Sequence, residues 1–196
     1  MPMFDSAAPD TRDSVHRLLS SYLPFALAFM SIHAGACFCG SVSYTVTGQP
    51  TLSAYCHCTR CQASLLGLAS LRNSLNSQIM TGSAFIWTLH YPAAAFAWTH
   101  PEPHSAALAE YVTEGKNWKT RWRCNRCGCC IASYNTKTEH WSVWGTQFER
   151  EEGGITKDLD GIKPTAHIFY GTRLVDVKDK LSKWEGYEDN SAKIVK

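Results

Sequence analysis

Seven of the nine cysteines in this 196-residue chain fall into three short clusters. Cysteines separated by one or two intervening residues are typical zinc ligands, because such spacing brings two sulfurs to the same ion. A structural zinc is closed by four protein ligands, whereas a catalytic zinc keeps three and leaves a position for water or substrate. Seven ligands therefore predict one closed and one open zinc site. The first cluster is Cys37 with Cys39, the second is Cys56 with Cys58 and Cys61, and the third is Cys124 with Cys127.

Local geometry predicts how the clusters share the two ions. Residues two apart point to the same face of a strand, so the first cluster is expected to present both sulfurs together, as are Cys56 and Cys58. The third cluster is followed by Gly128 and has the form of a zinc knuckle, a tight turn whose glycine takes a positive φ. A knuckle supplies only two sulfurs. We therefore expect the first and third clusters to form the closed site and to clamp the start of the domain to its middle.

The second cluster then forms the open site. Three thiolates leave the zinc site with a net charge of −1, which makes the ion a weak Lewis acid for attack by water. Such a sulfur-rich ion suits a fourth thiolate, either as an incoming nucleophile or as a leaving group. The predicted reaction therefore makes or breaks a carbon–sulfur bond. His57 faces away from the sulfurs and is expected to support the ligands or fill the core, with a role as the proton-transferring base as the alternative.

The remaining cysteines leave an alternative division open. Cys127 and Cys130 also have Cys-x-x-Cys spacing, which would release Cys124 or give the second site a fourth ligand. The position of Gly128 favours the first division, and Cys129 and Cys130 are then expected to be buried thiols outside the metal sites. Disulfides are disfavoured because the cysteine count is odd and a chain of this length can form a core without covalent cross-links.

Composition indicates one globular domain and excludes several classes of partner. Hydrophobic residues make up 44% of the chain and the net charge is +2, without a Lys/Arg-rich run. Neither nucleic-acid binding nor a polybasic membrane patch is supported. The aromatic residues are expected to lie mostly in the core, and Trp87, Trp98 and Trp144 are candidates for a pocket wall as the alternative.

The first residues differ from the rest. Residues 1–33 are predicted to be an N-terminal extension and residues 34–190 a single zinc domain. The apolar run Leu23–Ile32 resembles part of a signal peptide, but acidic residues precede it and cleavage would fall beside Cys37, so a signal peptide is not expected. The run is too short to span a bilayer. We expect a helix from about Asp10 to Met30, with a disordered leader as the alternative.

The rest of the chain is predicted to be mainly β. Short runs of β-branched and aromatic residues have strand length and are separated by glycines. The stretch from Leu89 to Ala107 contains three prolines and three histidines and is predicted to be an insertion loop with solvated histidines. The predicted strands are 41–46, Phe85–Leu89, Ala109–Thr113, Cys130–Tyr134 and His140–Trp144.

Three motifs occur in the order found in a known family. They are Gly35-x-Cys37-x-Cys39-Gly40-x-Val42-x-Tyr44, Cys56-His57-Cys58-x-x-Cys61 with Gly67, and Arg121-x-x-Cys124-x-x-Cys127-Gly128. Pro164-x-x-His167-Ile168 and the segment Trp184-Glu185-Gly186-Tyr187 are similar to that family's C-terminal part. From about Gly35 to Tyr187, the chain resembles the glutathione-dependent formaldehyde-activating enzyme and centromere protein V family.

The resemblance implies an Mss4-like fold of stacked small antiparallel sheets pinned by zinc, and a carbon–sulfur lyase activity. It places structural zinc ligands on the first and third clusters and catalytic zinc ligands on the second, in agreement with the spacing. It also makes His167 a second candidate for the base. The carboxylates of glutathione need cationic partners, and the candidates are Arg60, Arg72, Arg121 and Arg126.

The sequence thus predicts a cytoplasmic, zinc-dependent carbon–sulfur lyase. Its expected partner is a small-molecule thiol or thiol adduct, and its cofactors are two Zn²⁺ ions with glutathione as co-substrate. A homodimer is an open alternative to a monomer. Two other functions remain as alternatives, a hydratase or cyclase that acts on an aromatic metabolite through the same zinc, and a non-catalytic binding module stabilised by zinc.

Overall fold

The computed structural model describes residues 31–59, 83–112 and 116–195. These residues form β-strands and short 3₁₀ turns without an α-helix, so the predicted mainly β class is confirmed. Within these ranges nothing helical has the length and hydropathy that a membrane span requires. The predicted helix over Asp10–Met30 and the predicted ligand Cys61 lie outside the described residues.

The strands are β1 (Ile32–Ala36), β2 (Ser43–Thr47), β3 (Leu52–Cys56), β4 (Ile86–Pro92), β5 (Phe96–Trp98), β6 (Leu108–Val112), β7 (Lys119–Cys124), β8 (Cys130–Asn135), β9 (His140–Trp144), β10 (Ala166–Ile168) and β11 (Ser182–Lys183).

The strands form two sheets. The smaller sheet is antiparallel with the strand order β1-β2-β5. The larger sheet has the order β11-β10-β3-β4-β9-β8-β7-β6 and is antiparallel except at β10, which runs parallel to both of its neighbours. The larger sheet is mixed because the C-terminal part of the chain returns to lie beside β3. The 3₁₀ turns are Ala93–Ala95, His104–Ala106, Gly145–Gln147, Leu159–Gly161 and Tyr170–Thr172.

Alternation along the strands of the larger sheet separates a core face from a cavity face. Leu89 and Tyr91 of β4 are fully buried in the main core, which also contains side chains of the smaller sheet such as Tyr44. Thr88 and His90 alternate with them and line a cavity. Since successive side chains of a strand point to opposite faces, one face of the sheet packs on the core and the other forms the cavity wall.

The predicted strands agree within two residues with β2, β6 and β8, and β9 agrees at both ends, whereas the predicted strand Phe85–Leu89 covers only the first part of β4. The predicted insertion loop over Leu89–Ala107 is wrong in part, and so is the prediction that its histidines are solvated, because His100 is buried. β4 continues to Pro92, and β5 pairs with β2 in the smaller sheet, with Trp98 opposite Tyr44. The prolines are tolerated because Pro92 ends its strand and the two later prolines lie between β5 and β6.

Candidate metal centre and adjoining cavity

Four cysteines of the first and third clusters meet at one point and form what we call the four-cysteine group, Cys37, Cys39, Cys124 and Cys127. Their sulfur atoms all lie within 4.8 Å of one another, and the described part of the chain holds no second group of this kind. The Sγ atoms of Cys37 and Cys39 are 3.5 Å apart, and those of Cys39 and Cys124 are 3.7 Å apart. A tetrahedral zinc with Zn–S bonds of about 2.3 Å separates its sulfurs by about 3.8 Å. The group therefore fits a zinc ion, and its sulfurs are too far apart for disulfides.

Both pairs of the four-cysteine group lie on tight turns that are closed by a glycine. Gly40 donates its N–H to the carbonyl of Cys37 at 3.0 Å, and Gly128 donates to the carbonyl of Cys124 at 2.9 Å. The φ angles of these glycines are 75° and 71°, in the region that glycine adopts without strain. The predicted glycine turn after Cys127 is confirmed.

The expectation that Cys37 and Cys39 lie on a strand is wrong. β1 ends at Ala36, and both cysteines lie in the turn that leads to β2. The two sulfurs still converge because the turn folds back on itself, with the N–H of Val42 donating to the sulfur of Cys37 at 3.3 Å. The β1–β2 turn and the β7–β8 turn are thus two zinc knuckles that face one another, each with two cysteine sulfurs and a closing glycine.

Hydrogen bonds lower the pKa values of some of these thiols, and burial raises the pKa of another. The hydroxyl of Ser41 lies 3.3 Å from the sulfur of Cys39 and, with the Ser41 backbone, lowers the pKa of that thiol to about 6. Burial raises the pKa of Cys37 to about 12. The backbone of Cys129 lowers the pKa of Cys127. A metal ion must displace protons from such thiols, so affinity at this group falls in acid.

The two remaining cysteines of this region stay outside the group. Cys130 is buried on β8, where burial raises its pKa to about 11. The sulfur of Cys129 accepts a hydrogen bond from Nε2 of Gln147 at 3.3 Å. Neither belongs to the set of converging sulfurs. The structure thus favours the division of the clusters that uses Cys124 and Cys127.

The second cluster lies in a different place. Cys56 is the last residue of β3, and Cys58 follows it. Both line a cavity of about 370 Å³ that no member of the four-cysteine group lines. Cys61 lies outside the described residues, so the structure describes two of the three predicted ligands of the open site.

The cavity extends across the larger sheet. Its wall includes residues from six strands, β10, β3, β4, β9, β8 and β7, with Cys56 opposite Ile86 towards one end and Arg121 opposite Ser133 at the other. Four strand spacings of about 4.8 Å separate β3 from β7, roughly 19 Å measured along the sheet. A second cavity of about 310 Å³ shares His90 and Lys119 with the first and continues it.

The far end of the cavity is cationic. Arg121 is buried, with 7% of its surface exposed, and it forms no ion pair with a described residue. Lys116 and Lys119 line the same cavity, and none of the described residues that line it is acidic. Burial, with smaller contributions from Lys119 and His140, lowers the pKa of His90 to about 3, so that side chain is neutral at pH 7. The cavity therefore offers two kinds of group, cysteine sulfurs at one end and buried positive charge at the other.

Cys56 and Cys58 lie on the opposite side of their segment from His57. His57 is fully buried and does not line the cavity. Its Nε2 lies 2.8 Å from Nδ1 of His167, which is also fully buried, and Nε2 of His167 lies 2.7 Å from a carboxylate oxygen of Asp179. Burial, with a smaller contribution from the neighbouring His167, lowers the pKa of His57 to about 4. The two histidines predicted as candidate bases thus form one buried hydrogen-bonded chain beside the cavity.

The other predicted site residues are distributed as follows. Trp144 lines the cavity, whereas Trp87 and Trp98 pack in or against the core, so the pocket wall holds one of the three tryptophans. Among the candidate arginines, Arg121 lines the cavity and Arg126 is exposed in the β7–β8 turn. Arg60 and Arg72 lie outside the described residues.

Sequence reasoning missed several residues of this region. Lys119 could have been found, because it precedes Arg121 by two positions and so shares its face of β7. Lys116, Phe169 and Thr172 come from turns that line the cavity, and no local pattern distinguishes them. Asp179 lies in a segment without a recognisable motif and contacts His167 only through the tertiary fold.

Comparison with known proteins agrees with the cysteine pattern. The profile of the family described as glutathione-dependent formaldehyde-activating enzyme matches residues 32–172. No curated protein is significantly similar to the chain. Among solved structures, a Rhodobacter sphaeroides protein from structural genomics is 17% identical, with a TM-score of 0.36, and the match covers 64% of this chain and 94% of that chain.

Proposed function

The chain belongs to the glutathione-dependent formaldehyde-activating enzyme family. We propose that it is a zinc-dependent carbon–sulfur lyase that acts on glutathione or a glutathione-type thiol adduct. The observation that carries the proposal is the cavity, which has Cys56 and Cys58 at one end and Arg121 with Lys119 at the other. A substrate that is both a thiol and a carboxylate matches these two ends. The cytoplasm is the proposed location, because a reducing compartment preserves the thiolates.

We assign Cys56, Cys58 and Cys61 to an open zinc site. Of these, the first two are placed on the cavity wall by the end of β3. A zinc ion held there would supply a soft acceptor that lowers the pKa of a substrate thiol. The rest of the proposed function depends on the protein's own groups.

The cationic end of the cavity would orient the substrate. A guanidinium binds a carboxylate through two parallel hydrogen bonds, and Arg121 is buried without an acidic partner among the described residues. Lys119 and Lys116 add positive charge beside it. In this orientation the sulfur of the substrate would lie near Cys58 and a carboxylate near Arg121.

Apolar side chains would keep the reacting groups away from water. Ile86 and Ile168 line the cavity beside Cys56, and Trp144 lines it from β9. These side chains would shield polar groups from solvent. With formaldehyde as the second substrate, the thiolate sulfur bonds to the aldehyde carbon and the aldehyde oxygen takes a proton, which gives the S-hydroxymethyl adduct. The reverse reaction breaks the same carbon–sulfur bond.

The four-cysteine group has a different proposed role. It joins two turns that are more than 80 residues apart in sequence, one from each sheet. A metal that closes such a long loop contributes directly to the free energy of folding. Zinc at this group is therefore proposed to hold the two sheets together and not to contact substrate.

One observation favours a second candidate function. Trp144, Phe169 and Tyr187 line the cavity, and aromatic walls suit a flat aromatic substrate. A hydratase or cyclase that uses the same zinc would have such a wall without needing a thiol. A binding module without catalysis is the third candidate, and a homodimer is a further proposal that concerns assembly.

The three candidates differ in what they do with a thiol. Incubation with glutathione and formaldehyde, followed by NMR of the S-hydroxymethyl adduct, measures the proposed reaction directly. The lyase proposal predicts faster adduct formation or breakdown than in buffer, with loss of that acceleration in Cys58→Ser and retention in Cys129→Ser. No acceleration with any carboxylated thiol, together with full zinc loading, would refute the lyase and leave the other two candidates.

A further inference from the structure

A buried chain of hydrogen bonds connects the protein surface to the segment that carries Cys56 and Cys58. Asp179 accepts a hydrogen bond from Nε2 of His167 at 2.7 Å, and Nδ1 of His167 lies 2.8 Å from Nε2 of His57. Both imidazoles are fully buried. Asp179 lies beyond residues 32–172, the segment that the family profile matches.

Asp179 is fixed as an acceptor. Burial raises the pKa of its carboxyl group, but hydrogen bonds from His167 and Lys183 outweigh this effect and lower the pKa to about 2. Nζ of Lys183 and the N–H of Leu181 hold the other carboxylate oxygen at 2.8 Å and 3.2 Å. An ionised carboxylate only accepts, so Nε2 of His167 donates. The hydrogen bond between the two imidazoles persists whichever ring supplies the hydrogen.

His57 is held at three points by the C-terminal part of the chain. Its N–H donates to the carbonyl of Ile168 at 2.9 Å, and its carbonyl accepts from the hydroxyl of Thr172 at 2.9 Å. Its ring contacts Phe85 and Tyr170, with centroid distances of 4.8 Å and 4.9 Å. The residue between the two cysteines therefore has a fixed backbone and a fixed side chain.

Fixing His57 also fixes its neighbours. Because successive side chains point to opposite sides of an extended segment, a ring held in the core turns Cys56 and Cys58 towards the cavity. We propose that Asp179, acting through His167 and His57, is a positioning residue that sets the direction of the Cys56 and Cys58 sulfurs. The metal-binding part of this inference rests on the proposed function, whereas the positioning itself does not.

Two measurements on Asp179→Ala test the inference, amide hydrogen exchange in the zinc-loaded protein and Co²⁺ affinity in the Co²⁺-substituted protein titrated with a chelator. Loss of the acceptor is expected to speed amide hydrogen exchange at residues 56–58 about tenfold. It is also expected to raise the Co²⁺ dissociation constant of the site that contains Cys56 and Cys58 by about 10–100-fold. That range is the usual cost of removing a group that orients a metal ligand. The Co²⁺ site of the four-cysteine group is expected to keep its absorption spectrum and affinity.

Matched variants separate positioning from a general loss of charge. Asp160→Ala removes a carboxylate that is 98% exposed and pairs with Lys163 at the surface, and it is expected to leave both measurements unchanged. Asp179→Asn keeps an oxygen that accepts from His167 and is expected to restore most of the exchange protection and most of the Co²⁺ affinity.

The outcomes distinguish the inference from the function on which it partly rests. Unchanged exchange and unchanged Co²⁺ affinity in Asp179→Ala would overturn the positioning role. Equal weakening of both Co²⁺ sites would also overturn it, because the effect would then be a general loss of structure. Faster exchange at residues 56–58 in a protein that binds a single Co²⁺ would support the positioning role and refute the open metal site of the proposed function.

Discussion

At the scale of single residues, the cysteines of the two sites differ in their surroundings. The sulfur of Cys124 lies among other sulfurs and accepts a hydrogen bond from the N–H of Arg126 at 3.4 Å. Cys58 instead borders a cavity with space for a ligand of substrate size. Loss of a cysteine should therefore have different consequences at the two sites.

We predict that Cys58→Ser abolishes lyase activity and lowers the zinc content from two to one, while the protein stays folded. Cys124→Ser should cause loss of soluble protein, because it removes a ligand from the metal that joins the two sheets. Zinc analysis and thermal unfolding measure both effects. Cys129→Ser is the matched control, since Cys129 lies beside the four-cysteine group but outside it. The reverse pattern for Cys58 and Cys124 would contradict the division of the clusters.

The buried guanidinium of Arg121 gives a second prediction. Arg121→Gln should raise the KM for a carboxylated thiol by about 10–100-fold, which is the range expected for lost hydrogen bonds to a charged group. The kcat should change little, because the contact is remote from the sulfur. Thermal stability should not fall, since the variant removes a desolvated charge. Arg123→Gln, an exposed position on the same strand, is the control. An unchanged KM would show that the substrate does not reach this end of the cavity.

Burial of His90 gives a prediction about pH. Its folded-state pKa of about 3 lies below the ordinary value of 6.5, so the unfolded chain binds the proton first as the pH falls. The contribution of neutral His90 to the free energy of unfolding is fully present above pH 6.5. It is lost as the pH falls below that value, by at most about 1.4 kcal/mol per pH unit. Denaturant unfolding at pH 7 and pH 5 should show a smaller loss for His90→Asn than for the original chain. An equal loss would mean that His90 is accessible to protons in the folded state.

At the scale of elements, the β1–β2 hairpin is the part that presents Cys37 and Cys39. Its backbone packs against an aromatic ring. A Cβ atom at Gly35 would lie 2.4 Å from the ring of Tyr44, which is fully buried and so has no space into which to move. The hairpin and the metal turn at its end therefore depend on a glycine at this position.

Gly35→Ala should destabilise the protein by about 1–3 kcal/mol, the usual cost of overpacking a core. Denaturant unfolding measures the change, and faster loss of zinc from the four-cysteine group should accompany it. Gly171→Ala is the control, because no heavy atom lies within 4 Å of a Cβ atom there and its φ is not positive. A neutral effect of Gly35→Ala would mean that Tyr44 can rearrange.

The elements also show what local pattern can and cannot predict. β9 could be predicted at both ends because aromatic and β-branched residues fill a segment of strand length that Gly145 ends. β5 could not, because Phe96–Trp98 is short, lies near prolines, and forms a strand only through its pairing with β2. The position of Cys37 and Cys39 was missed for a related reason: period-two spacing does not distinguish a strand from a tight turn that brings the same two sulfurs together.

At the scale of the whole molecule, the two sheets are joined where the two knuckles meet. The four sulfurs could be grouped from the sequence because cysteine spacing has few solutions for two zinc ions. The cavity could not, since it combines residues of six strands whose order is set by the fold. Asp179 and its contact with His167 likewise depend on the return of the C-terminal segment beside β3.

The proposed function depends on a difference between two metal sites, one saturated by protein ligands and one with a free coordination position. The measurement that tests it most directly is the absorption spectrum of the Co²⁺-substituted protein during titration with glutathione. We predict two Co²⁺ ions per chain, with glutathione changing the thiolate-to-cobalt bands of one ion and leaving those of the other unchanged. A single bound ion would contradict the proposed function. So would two ions whose thiolate-to-cobalt bands both stay unchanged when glutathione is added.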